Sequence, residues 1–118
     1  MSPDIRPRRS VLYMPGSNAR ALDKARHLPA DGLILDLEDA VAPDDKTAAR
    51  GQVIQALHDV AFGGRTRIVR INGLDTPYAY RDLVEVVEGA GDRIDLIMLP
   101  KANGADDVRF VATFLAQI

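Results

Sequence analysis

The sequence contains no cysteine and no tryptophan, and only three phenylalanines and three tyrosines. Without cysteine there can be no disulfide scaffold, thiolate zinc site, iron–sulfur cluster or thiol nucleophile. This usage is compatible with the cytoplasm, which is the expected location. No apolar run approaches the roughly 20 residues that a membrane helix needs. The basic opening Met1–Arg9 is followed by no apolar stretch long enough for a signal peptide, so none is expected. An excess of charge of one sign is also missing. The 15 Lys and Arg against 17 Asp and Glu leave a net charge of −2, so no electrostatic feature points to nucleic acid or a membrane as partner. What is present, 47% apolar and 27% charged residues in a chain of 118, is the composition of one small folded domain rather than of a disordered segment.

Short apolar runs alternate with helical patterns. The runs are Ser10–Met14, Gly32–Leu37, Arg67–Ile71 and Asp95–Leu99. Their continuous rather than alternating hydrophobicity marks strands buried on both faces, as in a parallel sheet. Ser17 is a candidate cap for a first helix carrying Ala21, Leu22, Ala25 and Leu28 and ended by Pro29. Ala49, Val53, Ala56, Leu57 and Val60 form a second stripe, stopped by Gly63-Gly64. Thr76-Pro77 reads as N-cap and first position of a third helix, with Leu83, Val86, Val87 and Ala90 inside and Gly91 as its stop. Asn103 is a candidate cap for a fourth, carrying Val108, Val111, Phe114, Leu115 and Ile118. The pattern predicts an α/β fold of about four βα units in parallel, with strand order 1-2-3-4. The fourth stripe is still running at Ile118 with no stop signal. A barrel of this kind needs eight such units. Residues 1–118 are therefore expected to be the N-terminal half of a single barrel domain, the rest of it absent from this chain; the alternative is a complete small open sheet.

In parallel α/β folds ligands bind beyond the carboxyl ends of the strands, and the unusual residues of this chain collect there. Pro15-Gly16-Ser17-Asn18 follows the first strand and opens a helix, where free N–H groups can bind phosphate or carboxylate or simply be capped. Arg8 and Arg9 could add charge for a polyphosphate or form an exposed basic start. Asp36, Glu38 and Asp39 end the second strand. Such carboxylates can hold Mg²⁺ directly or through water, orient a general base, or serve only as loop acids. In an extended chain Asp36 and Glu38 share a face and Asp39 points away. Arg70, embedded in an apolar strand, must meet an anion. Its fork suits a substrate carboxylate or an enolate oxygen, or a structural pair with Asp36 or Glu38. Lys101 after Leu99-Pro100 reads as a Schiff-base amine, an electrostatic anchor or a surface lysine. Lys46 reads as a solvated helix-start residue, His27 and His58 as structural or surface residues, and Tyr78 and Tyr80 as packing.

Taken together, the segments Arg9–Asn18, Asp36–Val41, Val69-Arg70-Ile71-Asn72 and Leu99-Pro100-Lys101 resemble the citrate lyase β-subunit family, the HpcH/HpaI aldolase superfamily. Gly91–Lys101 looks most like its malyl-CoA and citramalyl-CoA lyase branch. The resemblance implies a (β/α)8 TIM barrel and Mg²⁺-dependent cleavage or formation of a carbon–carbon bond in a 3-hydroxyacyl-CoA thioester. It implies that Arg70 holds the keto-acid end and steadies the enolate, with Glu38 and Asp39 beside the metal and its waters. Arg9 with Pro15, Gly16, Ser17 and Asn18 would hold the CoA end, and Lys101 would line the cavity floor. The family's direct metal ligands, a Glu and an Asp, stand on later strands, so no complete metal site is expected among these residues. A homo-oligomer, trimer or hexamer, is expected of the full-length protein. The alternatives are an aldolase acting on free hydroxy-keto acids, a catalytically inactive fragment, and a receiver-like signalling module. The last would need an Asp where the third strand ends in Arg70-Ile71-Asn72.

Overall fold

Residues 6–118 are described by the computed structural model; Met1–Ile5, the start of the leading segment in which no signal peptide is expected, lie outside them. Four short strands, β1 (Val11–Pro15), β2 (Gly32–Asp36), β3 (Thr66–Arg70) and β4 (Leu96–Met98), form one sheet in the order β1-β2-β3-β4. Every neighbouring pair is parallel. The helices are α1 (Ala19–Lys24), α2 (Lys46–Asp59), α3 (Ala79–Ala90) and α4 (Ala105–Gln117), with 3-10 turns at Ala25–His27, Pro43–Asp45 and Gly91–Arg93. The expected βα repeat and strand order are thus present. None of these helices is long and apolar enough to cross a membrane.

The strand periodicity sorts the two faces of the sheet. Met14, Leu33, Leu35 and Val69 point toward the helices and join Leu22, Val53 and Leu57 in the main core. A smaller cluster of Ile71, Leu83 and Val111 seats α4. The other face carries Tyr13, Ile34, Ile68 and Leu96 in one register row, and Pro15, Asp36, Arg70 and Met98 in the next. Tyr13 and Leu96 on that face remain exposed, at 50% and 40%.

Several boundaries differ from the sequence expectation, each because a local hydrogen bond prevails. Asn18, not Ser17, caps α1: its Oδ1 accepts from Ala21 N at 3.0 Å. α1 has only six residues, because the chain tightens into the 3-10 turn Ala25–His27 before Pro29. Thr76-Pro77 does not start α3. Thr76 Oγ1 donates to Gly73 O at 2.7 Å and closes a turn, so the helix begins at Ala79. Asn103 does not cap α4; its N–H donates to Asp107 Oδ2 at 2.9 Å, and Gly104 is the cap. Of the α4 stripe only Val111 is buried, while Val108 is 56% exposed and Phe110 beside it 57%. Tyr80 is also exposed rather than packed, at 53%. His58 is structural: its Nε2 lies 2.6 Å from Gly89 O, joining α2 to α3.

A buried ion pair joins the same two helices. Arg50 on α2 donates from Nε to Asp82 Oδ1 on α3 at 2.7 Å, with both side chains almost wholly inaccessible. Asp82 Oδ2 accepts from the backbone N and the Nδ2 of Asn72, at 2.8 and 2.6 Å. Removing one partner of such a pair strands the other charge away from water. Asp82→Ala is expected to lower stability to urea by about 3–5 kcal/mol. Asp106→Ala, in the exposed pair with Arg109, should change it by less than ~0.5 kcal/mol.

Candidate functional site

The parallel register brings the polar strand ends together. Asp36 and Arg70 are paired Cα neighbours across β2 and β3, so their side chains leave the sheet on one face. Arg70 donates from Nε to Asp36 Oδ1 at 2.7 Å and from Nη2 to Oδ2 at 2.8 Å, a two-pronged contact to a carboxylate with no solvent exposure. Its Nη1 lies 3.3 Å from Glu38 Oε1, and its guanidinium stacks 4.6 Å over the Tyr13 ring. The structural pairing that the sequence left open is therefore present. It leaves 17% of the Arg70 side chain accessible.

Beyond β2 the chain turns instead of continuing extended. Asp36 accepts from Glu38 N at 3.0 Å through Oδ1 and from Ala40 N at 2.9 Å through Oδ2, the short-range bonding that lets an Asp close a turn. The turn buries Glu38 and leaves Asp39 outside, with 69% of its side chain exposed. Lys101 reaches back from the end of β4: its Nζ is 2.7 Å from Glu38 Oε2 and 3.4 Å from Asp39 Oδ1. Its backbone sits at φ 51°, a left-handed conformation that costs a residue with a Cβ on the order of 1 kcal/mol. Glu38 therefore bridges two cations, Arg70 and Lys101.

Protonation follows from these contacts. Burial disfavours the Asp36 anion, yet the Arg70 hydrogen bonds, the two turn N–H groups and the Arg70 charge outweigh it, and its pKa falls below the ordinary carboxylate value. Arg70 is raised above the ordinary arginine value, chiefly by its hydrogen bond to Asp36, against burial. Lys101 is raised by its hydrogen bond to Glu38.

Lys46 overturns the sequence expectation of a solvated residue. It is only 7% exposed and donates to Leu37 O and Glu38 O, each at 2.9 Å. Its ammonium lies 5.3 Å from the centre of the Tyr78 ring. Burial lowers its pKa, opposed by the charges of Asp82, Asp36, Glu38 and Asp39. Lys46 thus clamps the turn from which Glu38 projects. Glu38, Asp39, Lys46, Asn72, Tyr78 and Lys101 line a cavity of about 340 Å³. Tyr13, Lys46 and Asn72 were not among the sequence-derived site residues. The spacing of Tyr13, two positions before Pro15 on one strand face, was the available signal for the first.

The Pro15–Asn18 turn packs against the same strand ends. Gly16 N donates to Asp36 O at 2.7 Å, and a Cβ at Gly16 would lie 2.6 Å from that oxygen and 2.9 Å from Val53 Cγ2. Glycine is needed there for close approach. With its amide nitrogen turned toward these acceptors, Gln52 donates to Gly16 O and Ser17 O, at 3.0 and 3.1 Å. The structure does not bring Arg9 to this turn. Arg9 precedes β1, pairs with Asp31 at 3.1 Å, and stands a strand length away, ~15 Å. Among the described residues no group of three or more His, Asp or Glu is arranged to hold a metal ion.

The family model of the HpcH/HpaI aldolase/citrate lyase family matches residues 9–118. The chain belongs to this family. It is 47% identical over 117 residues to an L-malyl-CoA/beta-methylmalyl-CoA lyase of Cereibacter sphaeroides, covering 99% of this chain and 37% of that protein. It is 46% identical over 118 residues to a (3S)-malyl-CoA thioesterase of the same species, covering 100% of this chain and 40% of the relative. Among solved structures, a citrate lyase beta subunit of Mycobacterium tuberculosis complexed with oxaloacetate and magnesium superposes with a TM-score of 0.72 at 36% identity, over 86% of this chain and 42% of that one. CitE of the same organism, in complex with magnesium, acetoacetate and coenzyme A, gives 0.66 at 36% identity, over 86% and 35%. The chain thus spans less than half the length of the family members it matches.

The depressed Asp36 pKa makes stability depend on acid. The folded state binds fewer protons than the unfolded one between the two pKa values, so stability rises with pH there. The contribution is complete above the unfolded value, about 3.9, and disappears as pH falls through the lower folded value. Asp95 and Asp31 are lowered as well and add to the trend. Urea midpoints are expected to be level from pH 7 to 5 and to drop progressively below about pH 4. The drop should be shallower in Asp36→Asn, which starts less stable at neutral pH.

Proposed function

We propose that this chain supplies the first half of the active site of a Mg²⁺-dependent carbon–carbon lyase acting on a 3-hydroxyacyl-CoA thioester of the malyl, citramalyl or citryl type. The observation that carries this reading is Arg70, held by Asp36 and Glu38 at the carboxyl ends of the parallel strands, in a chain 47% identical to a malyl-CoA lyase. In the cleavage direction the 3-hydroxyl loses its proton and the C2–C3 bond breaks. The bond's electron pair moves into the thioester as an enolate, and a proton returns to C2. The products are a shorter acyl thioester and an oxo compound, a 2-oxo acid where the hydroxyl carbon bears a carboxylate. A guanidinium fixed at the strand ends favours the developing enolate oxygen without reorganising. Residues 1–118 then form half of one barrel domain, and the other half completes the site.

The described residues do not make a magnesium site by themselves. Both oxygens of Asp36 are engaged by Arg70, and those of Glu38 face Arg70 and Lys101. Mg²⁺ demands near-octahedral oxygen coordination, and Asp39 alone cannot impose it. By the family resemblance the direct ligands stand on later strands, with Glu38 and Asp39 beside the ion through water. The Pro15–Asn18 turn and Lys101 are assigned to the CoA side. Arg9, at the other end of β1, is left as a structural partner of Asp31. A cytoplasmic homo-oligomer, trimer or hexamer, completes the reading.

A second reading has one observation in its favour: the 46% identity to a (3S)-malyl-CoA thioesterase. Product analysis separates the two. A full-length lyase given malyl-CoA releases acetyl-CoA and glyoxylate, whereas a hydrolase releases malate and free CoA. Cleavage of a free hydroxy-keto acid without CoA would instead support the aldolase.

In the full-length protein, Arg70→Lys keeps the charge and loses the fork. Turnover is expected to fall roughly hundredfold. Stability should fall by only about 1–2 kcal/mol, because Lys retains one bond to Asp36. A stability loss with unchanged turnover would make Arg70 structural only. Calorimetry of residues 1–118 with Mg²⁺ is expected to show no saturation below roughly millimolar concentration.

A further inference from the structure

We infer that Asn72 is a ligand-reading residue of this site, oriented by the buried Arg50–Asp82 pair so that its amide oxygen meets a hydrogen-bond donor of the substrate. The inference rests on the proposed thioester chemistry and adds a specificity element to it. Asn72 lies two residues beyond Arg70, at the carboxyl end of β3, and lines the cavity shared by Glu38, Lys46 and Lys101. Its side-chain nitrogen is committed: Nδ2 donates to Asp82 Oδ2 at 2.6 Å, and the Asn72 backbone N donates to the same oxygen at 2.8 Å.

The other Asp82 oxygen accepts from Arg50 at 2.7 Å. Asp82 therefore serves as an acceptor at both oxygens, and a flipped Asn72 amide would set two oxygens 2.6 Å apart. The contact decides the orientation of an amide that is otherwise ambiguous. With Nδ2 held, no described residue hydrogen-bonds Oδ1. An acceptor on a side chain only 2% exposed discriminates, because a ligand without a donor leaves it unpaired.

The cavity wall thus sets Lys101 and Lys46, with the carboxylates of Glu38 and Asp39, beside the neutral Asn72 acceptor. A hydroxyacyl thioester answers that wall with an anionic oxygen toward Lys101 and one donor toward Asn72. The donor has two possible sources, the 3-hydroxyl of the acyl group and an amide N–H of the CoA arm. Asp82 and Arg50 do not line the cavity and are positioning residues; Asn72 is the residue that would touch the ligand.

The test uses the full-length protein with three probes: malyl-CoA by its KM, and succinyl-CoA, which lacks the hydroxyl, and CoA by their inhibition constants. Asn72→Leu keeps the shape and removes the acceptor. A rise of about tenfold for malyl-CoA alone would identify the hydroxyl as the donor. An equal rise for all three would identify the CoA arm. No change in any of them would overturn the inference. Asp82→Asn frees the amide to flip and is expected to reproduce the same selectivity loss with Asn72 intact, which a merely structural role would not produce. If neither variant folds, the ¹³Cγ resonance of Asn72 in wild type decides: a shift on adding malyl-CoA or CoA supports the contact, and its absence overturns it. Wild type that neither cleaves malyl-CoA nor binds any probe would instead remove the proposed function itself.

Discussion

The contact between Arg70 and Asp36 is the constraint on which the rest of the site depends. A carboxylate with no exposure to water is tolerable only when its lone pairs are filled. Here two guanidinium N–H groups and two backbone N–H groups fill them. The same four bonds end β2, bend the chain into the turn that carries Glu38 and Asp39, and fix the guanidinium at the end of β3. The parallel register makes this possible, because it sets Asp36 and Arg70 opposite each other with Pro15 and Met98 in the same row.

Around that pair the charges are nested. Glu38 answers both Arg70 and Lys101, and Lys46 holds the carbonyls of Leu37 and Glu38. On the helix side, Arg50 and Asp82 tie α2 to α3 and reach the strand end through Asn72. A site supported in this way holds its groups still, which is what electrostatic stabilisation of a developing charge requires. The sheet face that carries the site is not covered by the helices of this chain, consistent with its covering only 35–42% of the relatives and solved structures described above.

The repeat of apolar runs and helical stripes was sufficient for the fold class and strand order. Buried parallel strands and amphipathic helices differ in period, and that difference survives in a single sequence. Cap positions were not legible in the same way. Ser17, Thr76 and Asn103 each have the right chemistry for an N-cap, but the caps fall one or two residues later. At Thr76 a competing bond, from its hydroxyl to Gly73 O, is equally local and equally favoured by composition. The α4 stripe was visible too, yet burial depends on a facing surface: Val111 is buried, Phe114 and Leu115 pack half-buried against the same cluster, and Val108 is exposed.

The sequence by itself determined which residue types stand at the strand ends, and so that an arginine, a lysine and a carboxylate cluster would share one edge of a parallel sheet. Only the tertiary structure decided how they pair. Pairing depends on register and on which side chain each turn leaves inside: Asp36 and Glu38 are buried, Asp39 is not, and Lys46, which has the spacing of a surface residue, lies under the turn. Arg9 shows the converse. It belongs to the same motif as Pro15–Asn18 in the chain, but β1 carries the two to opposite ends of the sheet, where Arg9 meets Asp31.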